Sequence, residues 1–387
     1  MTSMFPRLLR PPKGSFFLLG PRGSGKTTWL DHHFATAPRF DLLDEARYQR
    51  YLADITELQR ELELVPPASW VVVDEVQRLP SLLNEVHRQI ERRRIKFALT
   101  GSSARKLRRG GVNLLGGRAV WRTMFPLAPA ELGRAFSLER ALRIGSLPIV
   151  WTADDPEETL EAYVRLYLKE EVQAEALLRS LAGFARFLPI AALFHGQVLN
   201  ASSLARDAGV ARTTVLGYLS ILEDTLLATT LPAFEARLRV RERKHPKLYW
   251  IDPGLVRALK RARGPVLPEE RGPLLEGFVL TLLRLYAELK RLPLDALGYW
   301  APAEARTTEV DFILSSGRER TAIEVKSTRR VRDADLRGLR AIADLPGLKR
   351  RMLVCLAPAD GRTHDGIAIL RIDGFLERLD AGMLLER

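Results

Sequence analysis

The sequence predicts an α/β chain of four segments: a parallel-sheet domain over residues 1–135, an all-helical lid over 136–195, a winged helix over 196–250 and a second α/β domain over 251–387. Three observations carry that reading. From residue 14 to about 135, short apolar runs alternate with helical periodicity; from Asn200, two helices follow each other across a single glycine; from Leu274, a long apolar helix gives way to strands interrupted by charged residues. A length of 387 residues leaves room for several cores, and a hydrophobic fraction of 46% suits a folded chain.

The first domain reads as strands Ser15–Leu19, Phe40–Leu43, Trp70–Val73, Lys96–Thr100 and Ala119–Thr123 with helices between them. Such a sheet is covered on both faces and receives ligands at the carboxyl ends of its strands. The first strand runs into GPRGSGKTT, which matches G-x-x-x-x-G-K-[ST] without a mismatch. Gly20, Gly23 and Gly25 let the backbone curl, and with Pro21, Arg22, Ser24 and Thr28 they form a loop whose N–H groups face phosphate oxygens. Lys26 reaches the β and γ phosphates, and the Thr27 hydroxyl ligates Mg²⁺. A helix from about Gly25 to Ala35 adds its positive end.

The third strand ends in Asp74 and Glu75. Paired acids at the end of a buried strand suit a metal-holding group, Asp74, followed by a water-orienting one, Glu75. The fourth ends in LTGSS, so Thr100, Ser102 or Ser103 can present a hydroxyl to the γ phosphate. Arg118, which opens the last strand, can reach a neighbouring subunit's nucleotide, a role open equally to Arg122 or Arg105. ATP and Mg²⁺ are the expected cofactors.

The lid is a helical stretch from Pro156 to Leu193. In the winged helix, Asn200 caps a helix ending near Ala208, Gly209 makes the turn, and Val215, Leu216, Leu219 and Leu222 form the apolar stripe of a second helix. Arg212, Thr213 and Thr214, with Gly217 and Ser220, would face DNA, although Ala211 is a poor cap for that helix. A strand, Leu226–Leu231, leads to RLRVRERKHPK, residues 237–247, six Lys or Arg against one Glu. Arg239, Arg241, Arg243 and Lys244 are the expected backbone contacts of a basic wing, and a protein-docking role with a solvated loop is the other reading.

The last domain reads as helix 274–290, strands Leu297–Trp300, Val310–Leu314 and Thr321–Val325, helix Ala334–Ala343, and strands Met352–Leu356 and Ile367–Ile372. Asp311, Glu324 and Lys326 stand where apolar residues would be cheaper to bury. Alternation puts Glu324 and Lys326 on one face, and Glu276 projects from the preceding helix.

A net charge of +13 and a pI near 10.1 favour a polyanionic partner such as DNA. No run of apolar residues is long enough for a membrane span and the start lacks a signal peptide, so a soluble cytoplasmic protein is expected. The single cysteine, Cys355, excludes an internal disulfide and a cysteine-built zinc site, and reads as a buried core thiol.

GPRGSGKTT, WVVVDE, LTGSS, GGRA and FPLAPAEL together resemble a family of bacterial and archaeal AAA-type, RecA-like P-loop ATPases whose C-terminal region is known only as a domain of unknown function. The resemblance covers nearly the whole chain. It implies an ATPase with a catalytic glutamate that often works as a homo-oligomer, such as a hexameric ring. The element order around Asp311 and the Glu324-x-Lys326 motif resembles the PD-(D/E)xK restriction-endonuclease-like fold. That resemblance implies Mg²⁺ held by Asp311 and Glu324, with Glu276 in support and Lys326 orienting water. The expected function is an ATP-driven motor that unwinds and cuts branched or end-containing DNA in repair or recombination. The alternative is an ATP-gated DNA-binding or partner-binding switch with an inert C-terminal domain.

Overall fold

The computed structural model describes residues 5–102, 115–167, 181–236, 241–304 and 308–385. Strands β1 (Phe16–Leu19), β2 (Arg39–Asp41), β3 (Trp70–Asp74), β4 (Lys96–Gly101) and β5 (Val120–Thr123) form one parallel sheet in the order β2-β3-β4-β1-β5. FFLL, WVVVD and KFALTG are apolar almost without a break because both sheet faces are covered. The covering helices include α1 (Lys26–His33), α2 (Glu45–Ala53), α3 (Ile55–Glu63) and α4 (Leu82–Arg93). Asp44 and Asp54 cap α2 and α3 by accepting from Arg47 N and Thr56 N. The strand order sets β4 between the P-loop strand β1 and the acidic strand β3, as the sequence predicts.

The segment expected to be a lid begins with α5 (Leu138–Ile144), a turn of helix at Pro148–Trp151 and a helix at Pro156–Ala162, and ends with α6 (Leu181–Leu193). The middle of the expected 156–193 helical stretch lies outside the described residues. The segment expected to be a winged helix contains β6 (Gln197–Val198), α7 (Ala201–Ala208), α8 (Arg212–Asp224), β7 (Ala228–Leu231) and β8 (Lys247–Trp250), the strands ordered β6-β8-β7. The Asn200 carboxamide oxygen accepts from Ser202 N and Ser203 N, both at 3.1 Å, and Gly209 takes φ +63°. Ala211 leaves α8 without a side-chain cap. The apolar stripe differs in one position: Leu216 is exposed, and Tyr218 and Ile221 join Val215, Leu219 and Leu222 inside. The helix rotates so that its aromatic ring packs on Phe184 and Phe187 of α6.

The described part of the expected basic wing makes backbone hydrogen bonds to the C-terminal sheet. Phe234 N donates to Tyr299 O (2.6 Å), Arg243 N to Ala301 O (2.9 Å) and Ala303 N to Arg241 O (2.7 Å). Residues 234, 241 and 243 are thus laid along the edge of the C-terminal sheet, which their backbone groups cover. Arg239 lies outside the described residues, and Lys247 is buried in β8.

The C-terminal domain opens with α9 (Pro253–Leu259), which packs on α5, and α10 (Pro268–Glu288). Six strands follow: β9 (Ala296–Trp300), β10 (Val310–Ser316), β11 (Glu319–Lys326), β12 (Leu348–Cys355), β13 (Gly361–Arg362) and β14 (Ala368–Arg371), in the order β13-β14-β12-β11-β10-β9. The meander β9-β10-β11 is antiparallel, whereas β11-β12 and β12-β14 are parallel. The expected helix 334–343 is a 3₁₀ turn at Asp333–Leu336 followed by the short α11 (Arg337–Ala341); α12 (Ile372–Asp380) was not foreseen. One apolar cluster runs from Phe125 through α5 to α8, β7 and β8 to Leu384. The segments on either side of residues 195 and 250 thus share an apolar core. Cys355 is buried, as expected.

Candidate nucleotide site and a carboxylate cluster

The P-loop turns at two glycines with positive φ, Gly23 (+74°) and Gly25 (+88°), and a β-carbon on Gly23 would lie 2.5 Å from Ile149 Cγ2. Lys26 is buried, and its ammonium donates to Gly20 O at 2.8 Å and Pro21 O at 3.2 Å. Ser24 Oγ is buried with no hydrogen-bond partner. Thr27 Oγ1 stands 3.5 Å from Asp74 Oδ2, so strand β3 brings its acid to the loop across 47 residues.

Asp74 Oδ1 accepts a short hydrogen bond from Thr100 Oγ1 of β4, and Glu75 N donates to the same hydroxyl at 3.2 Å. Glu75 takes a left-handed conformation, φ +57° and ψ 43°, which turns it off the strand axis. Gln77, unremarked in the sequence, joins the set: its Nε2 donates to Glu75 Oε2 and to Ser102 Oγ (3.2 Å). Ser102 and Thr100 are thus both at the site, and Ser103 and Arg105 lie outside the described residues.

A cavity of about 690 Å³ opens beside these groups, lined by Arg22, Lys26, Thr27, Thr28, Glu75 and Ile149 among others. Three further residues that sequence reasoning missed support the loop beside it. Arg7 donates to Ser24 O (3.2 Å) and pairs with Glu131 (3.2 Å), while Tyr163 OH of the lid donates to Arg22 O (3.0 Å). The orphaned Ser24 hydroxyl, a buried ammonium resting on neutral carbonyls and the Thr27–Asp74 approach together fit a triphosphate with its Mg²⁺.

Of the candidate arginines, Arg118 is exposed and pairs closely with Glu91 of its own chain. Arg122 is turned inward, 3.8 Å from Glu288 of α10.

Behind the nucleotide loop, the linker after α5 meets the buried Asp252, whose carboxylate accepts from Ser146 N at 2.7 Å and Leu255 N at 3.3 Å. Burial pushes this carboxyl up to about 6 against the pull of the backbone N–H groups.

The second cluster lies where α10, β10 and β11 meet. Asp311 Oδ2 accepts from Val325 N (2.8 Å), Glu324 Oε2 accepts from Asp311 N (3.3 Å), and Lys326 pairs closely with Glu324. The expected set of Glu276, Asp311, Glu324 and Lys326 is assembled. An uninvited member is Lys247, whose Nζ stands 3.0 Å from Glu276 Oε1, 3.3 Å from Glu309 Oε2 and 3.6 Å from Asp311 Oδ1. Burial alone would depress this ammonium, but Glu276 and the other carboxylates outweigh it and hold its pKa well above the ordinary range. Burial and the neighbouring Asp311 push Glu324 well up. Among the described residues no three His, Cys, Asp or Glu side chains are disposed to hold a metal ion. The cluster as built does not fit the expected Mg²⁺. Glu309 had a legible signal, since it stands two residues before Asp311 on the same face.

Residues 13–133 match the family model described as an AAA domain. The N-terminal unit carries an AAA-type P-loop ATPase domain. Residues 135–265 match a domain of unknown function (DUF8612), and residues 271–375 match another (DUF4143). Two uncharacterized proteins, one of Mycobacterium bovis and one of Mycobacterium tuberculosis, are each 29% identical over 381 residues, covering 92% of this chain and 83% of theirs.

Among solved structures, the Orc1 protein of Aeropyrum pernix in complex with DNA is matched at 12% identity over 65% of this chain and 87% of its own, with a TM-score of 0.28. Protein VC1899 of Vibrio cholerae is matched at 15% identity over 95% and 97%, with a TM-score of 0.25. Likenesses this slight transfer nothing to this chain. Among the described residues no helix is long and apolar enough to cross a membrane.

Proposed function

We propose that this chain is an ATP-hydrolysing switch whose nucleotide cycle governs how its winged-helix face engages DNA. The observation that carries the reading is the meeting of Lys26, Thr27, Asp74 and Glu75 at one end of the sheet, with Thr100, Ser102 and Gln77 around the glutamate. ATP with Mg²⁺, when bound, supplies the phosphoryl group and the charge that neutralises it. Lys26 would exchange two carbonyl oxygens for phosphate oxygens, and Thr27 and Asp74 would hold the metal. Glu75 would orient the attacking water, with its carboxylate positioned by Gln77, and Ser102 would report on the γ phosphate. A glutamate beside the metal acid favours turnover over mere binding.

The DNA face comprises Arg212 and Thr213, both exposed on α8, with Thr214 half-buried beside them, and Arg241, Arg243 and Lys244 on the segment after β7. With few cations on α8 itself, this surface suits backbone contacts and shape readout. Arg118 would serve a neighbouring copy in a homo-oligomer, leaving Glu91 to do so. The switch is favoured over the unwinding and cutting motor by two observations: the wing is paired to β9, and a lysine stands among the C-terminal carboxylates.

The test is ATP turnover and DNA affinity measured together. Wild type should hydrolyse ATP and bind duplex DNA with an affinity that falls steeply with salt and differs between ATP-bound and ADP-bound states. Glu75→Gln should bind ATP without turnover, and replacing Arg212 and Lys244 by Ala should reduce the salt slope. DNA affinity indifferent to both salt and nucleotide would sink the switch.

A further inference from the structure

Arg7 lies in the stretch that leads into β1, and only 8% of its side chain is exposed. A guanidinium so placed needs acceptors for its donors, and here they come from three places far apart in the sequence. Nη1 donates to Ser24 O of the P-loop (3.2 Å), Nη2 donates to Phe125 O just beyond β5, and Nε stands 3.2 Å from Glu131 Oε1 in the helical turn Pro129–Leu132. Glu131 is itself fixed. Its Oε1 also accepts from Leu8 N (2.6 Å), its Oε2 accepts from Ala128 N (2.9 Å), and 1% of its side chain is exposed.

We propose, on the ATPase reading of this site, that Arg7 is a positioning residue that fixes the peptide between Ser24 and Gly25, and that Glu131 acts through it. A trans peptide points its C=O and its N–H in opposite directions, so a Ser24 carbonyl drawn to the guanidinium turns the Gly25 N–H away from it, toward the phosphates. Nothing local secures that orientation. Gly23 takes φ +74° and Gly25 φ +88°, and glycine is the residue at which a peptide plane turns over at least cost. A turned peptide would present a carbonyl to the triphosphate where an N–H is needed, replacing attraction by repulsion. The end of β5 already presses on the same loop, since a β-carbon on Gly20 would lie 2.6 Å from Met124 O. Arg7 joins that strand end to the loop through the neighbouring Phe125 carbonyl. Because Glu131 neutralises the guanidinium, the pair adds little field of its own at the phosphates, and its contribution is geometry. A planar fork suits acceptors in three directions, whereas a lysine ammonium on a flexible stem does not hold them together.

Binding of ADP with Mg²⁺ by calorimetry and steady-state ATP turnover are measured on the full chain for wild type, Arg7→Lys, Arg7→Met and Glu131→Gln. Both Arg7 variants should weaken ADP binding and raise KM for ATP by about tenfold, with kcat per folded molecule within about threefold of wild type. That split marks a loop that holds ground state and transition state alike. Glu131→Gln should move KM in the same direction, and combining it with Arg7→Met should add nothing further. A purely structural pair would lower the folded fraction and leave affinity and KM unchanged in the molecules that fold, which would overturn the proposal. Full rescue by lysine, or independent addition of the Arg7 and Glu131 effects, would overturn it as well. If Arg7→Met does not fold, Arg7→Lys decides; if neither folds, the pair belongs to the fold alone and the proposal fails. Wild type that binds no nucleotide sinks the ATPase reading, whereas wild-type binding matched by Arg7→Lys sinks only the role of Arg7.

Discussion

Two buried lysines serve two different clusters of this molecule. Lys26 rests on the carbonyl oxygens of Gly20 and Pro21, neutral acceptors that a triphosphate can outbid, whereas Lys247 sits among the carboxylates of Glu276, Glu309 and Asp311. The attraction between opposite full charges inside a protein far exceeds that between a charge and a carbonyl dipole. One ammonium is therefore available to a ligand and the other is committed to the fold.

The largest effect should come from the available one. Lys26→Ala should lower ATP turnover by about 10³-fold, and Glu75→Gln by about 10²–10⁴-fold, in a coupled phosphate-release assay. Urea unfolding of Lys26→Ala should show no comparable loss. The committed lysine should behave the other way: Lys247→Met should cost about 3–5 kcal/mol in urea because it strands buried carboxylates, while turnover per folded molecule is kept. Equal stability losses at the two lysines would break the contrast.

Asp252 offers a buried carboxylate with no lysine among its causes of shift. Its pKa is raised from the unfolded range to about 6, so its contribution to stability is fully present below about pH 4 and is lost as pH rises through 6. Wild type should gain on Asp252→Asn, by at most about 3 kcal/mol, between pH 7 and pH 4 in parallel unfolding curves. A flat difference across that window would mean that the site relaxes or admits water.

Gln77→Leu should reduce turnover about tenfold at unchanged ATP affinity, the size of one neutral hydrogen bond to a reacting group's partner. Smallest should be the structural effect of Arg118→Ala, about 0–1 kcal/mol, since its pair with Glu91 is exposed. A turnover loss in that variant that recovers on mixing with Lys26→Ala would place Arg118 at a neighbour's nucleotide.

The nucleotide site was legible because its parts are written close together or at strand ends. Gly20 to Thr28 is a local motif, Asp74 and Glu75 end an unmistakable apolar run, and each needs only its own segment to be placed. Gln77 escaped because a glutamine in a 3₁₀ turn carries no pattern; only the adjacency of β3 and β4 brings it to Ser102. Lys247 was misread for a deeper reason. In a run with Arg241, Arg243 and Lys244 it is chemically indistinguishable from its neighbours, and only pairing with β6 and β7 decides that it alone goes inside. The faint signal was the apolar LYWI that follows it, with a strand period placing Lys247 and Tyr249 together. Leu216 failed similarly, because helical spacing admits two neighbouring stripes and packing against Phe184 and Phe187 selects one.

The pairing of residues 232–234 and 241–243 with β9 and the residues just after it bears on the portability of the last third of the chain. A fragment starting at Ile251 would take with it three acidic residues that have lost the Lys247 ammonium and a sheet whose outer strand has lost its cover. Naked edges of that kind recruit other copies edge to edge. Such a fragment should precipitate rather than report on the domain, and shuffling this region between genes would have to carry the segment from β6 to β8 along as its stopper.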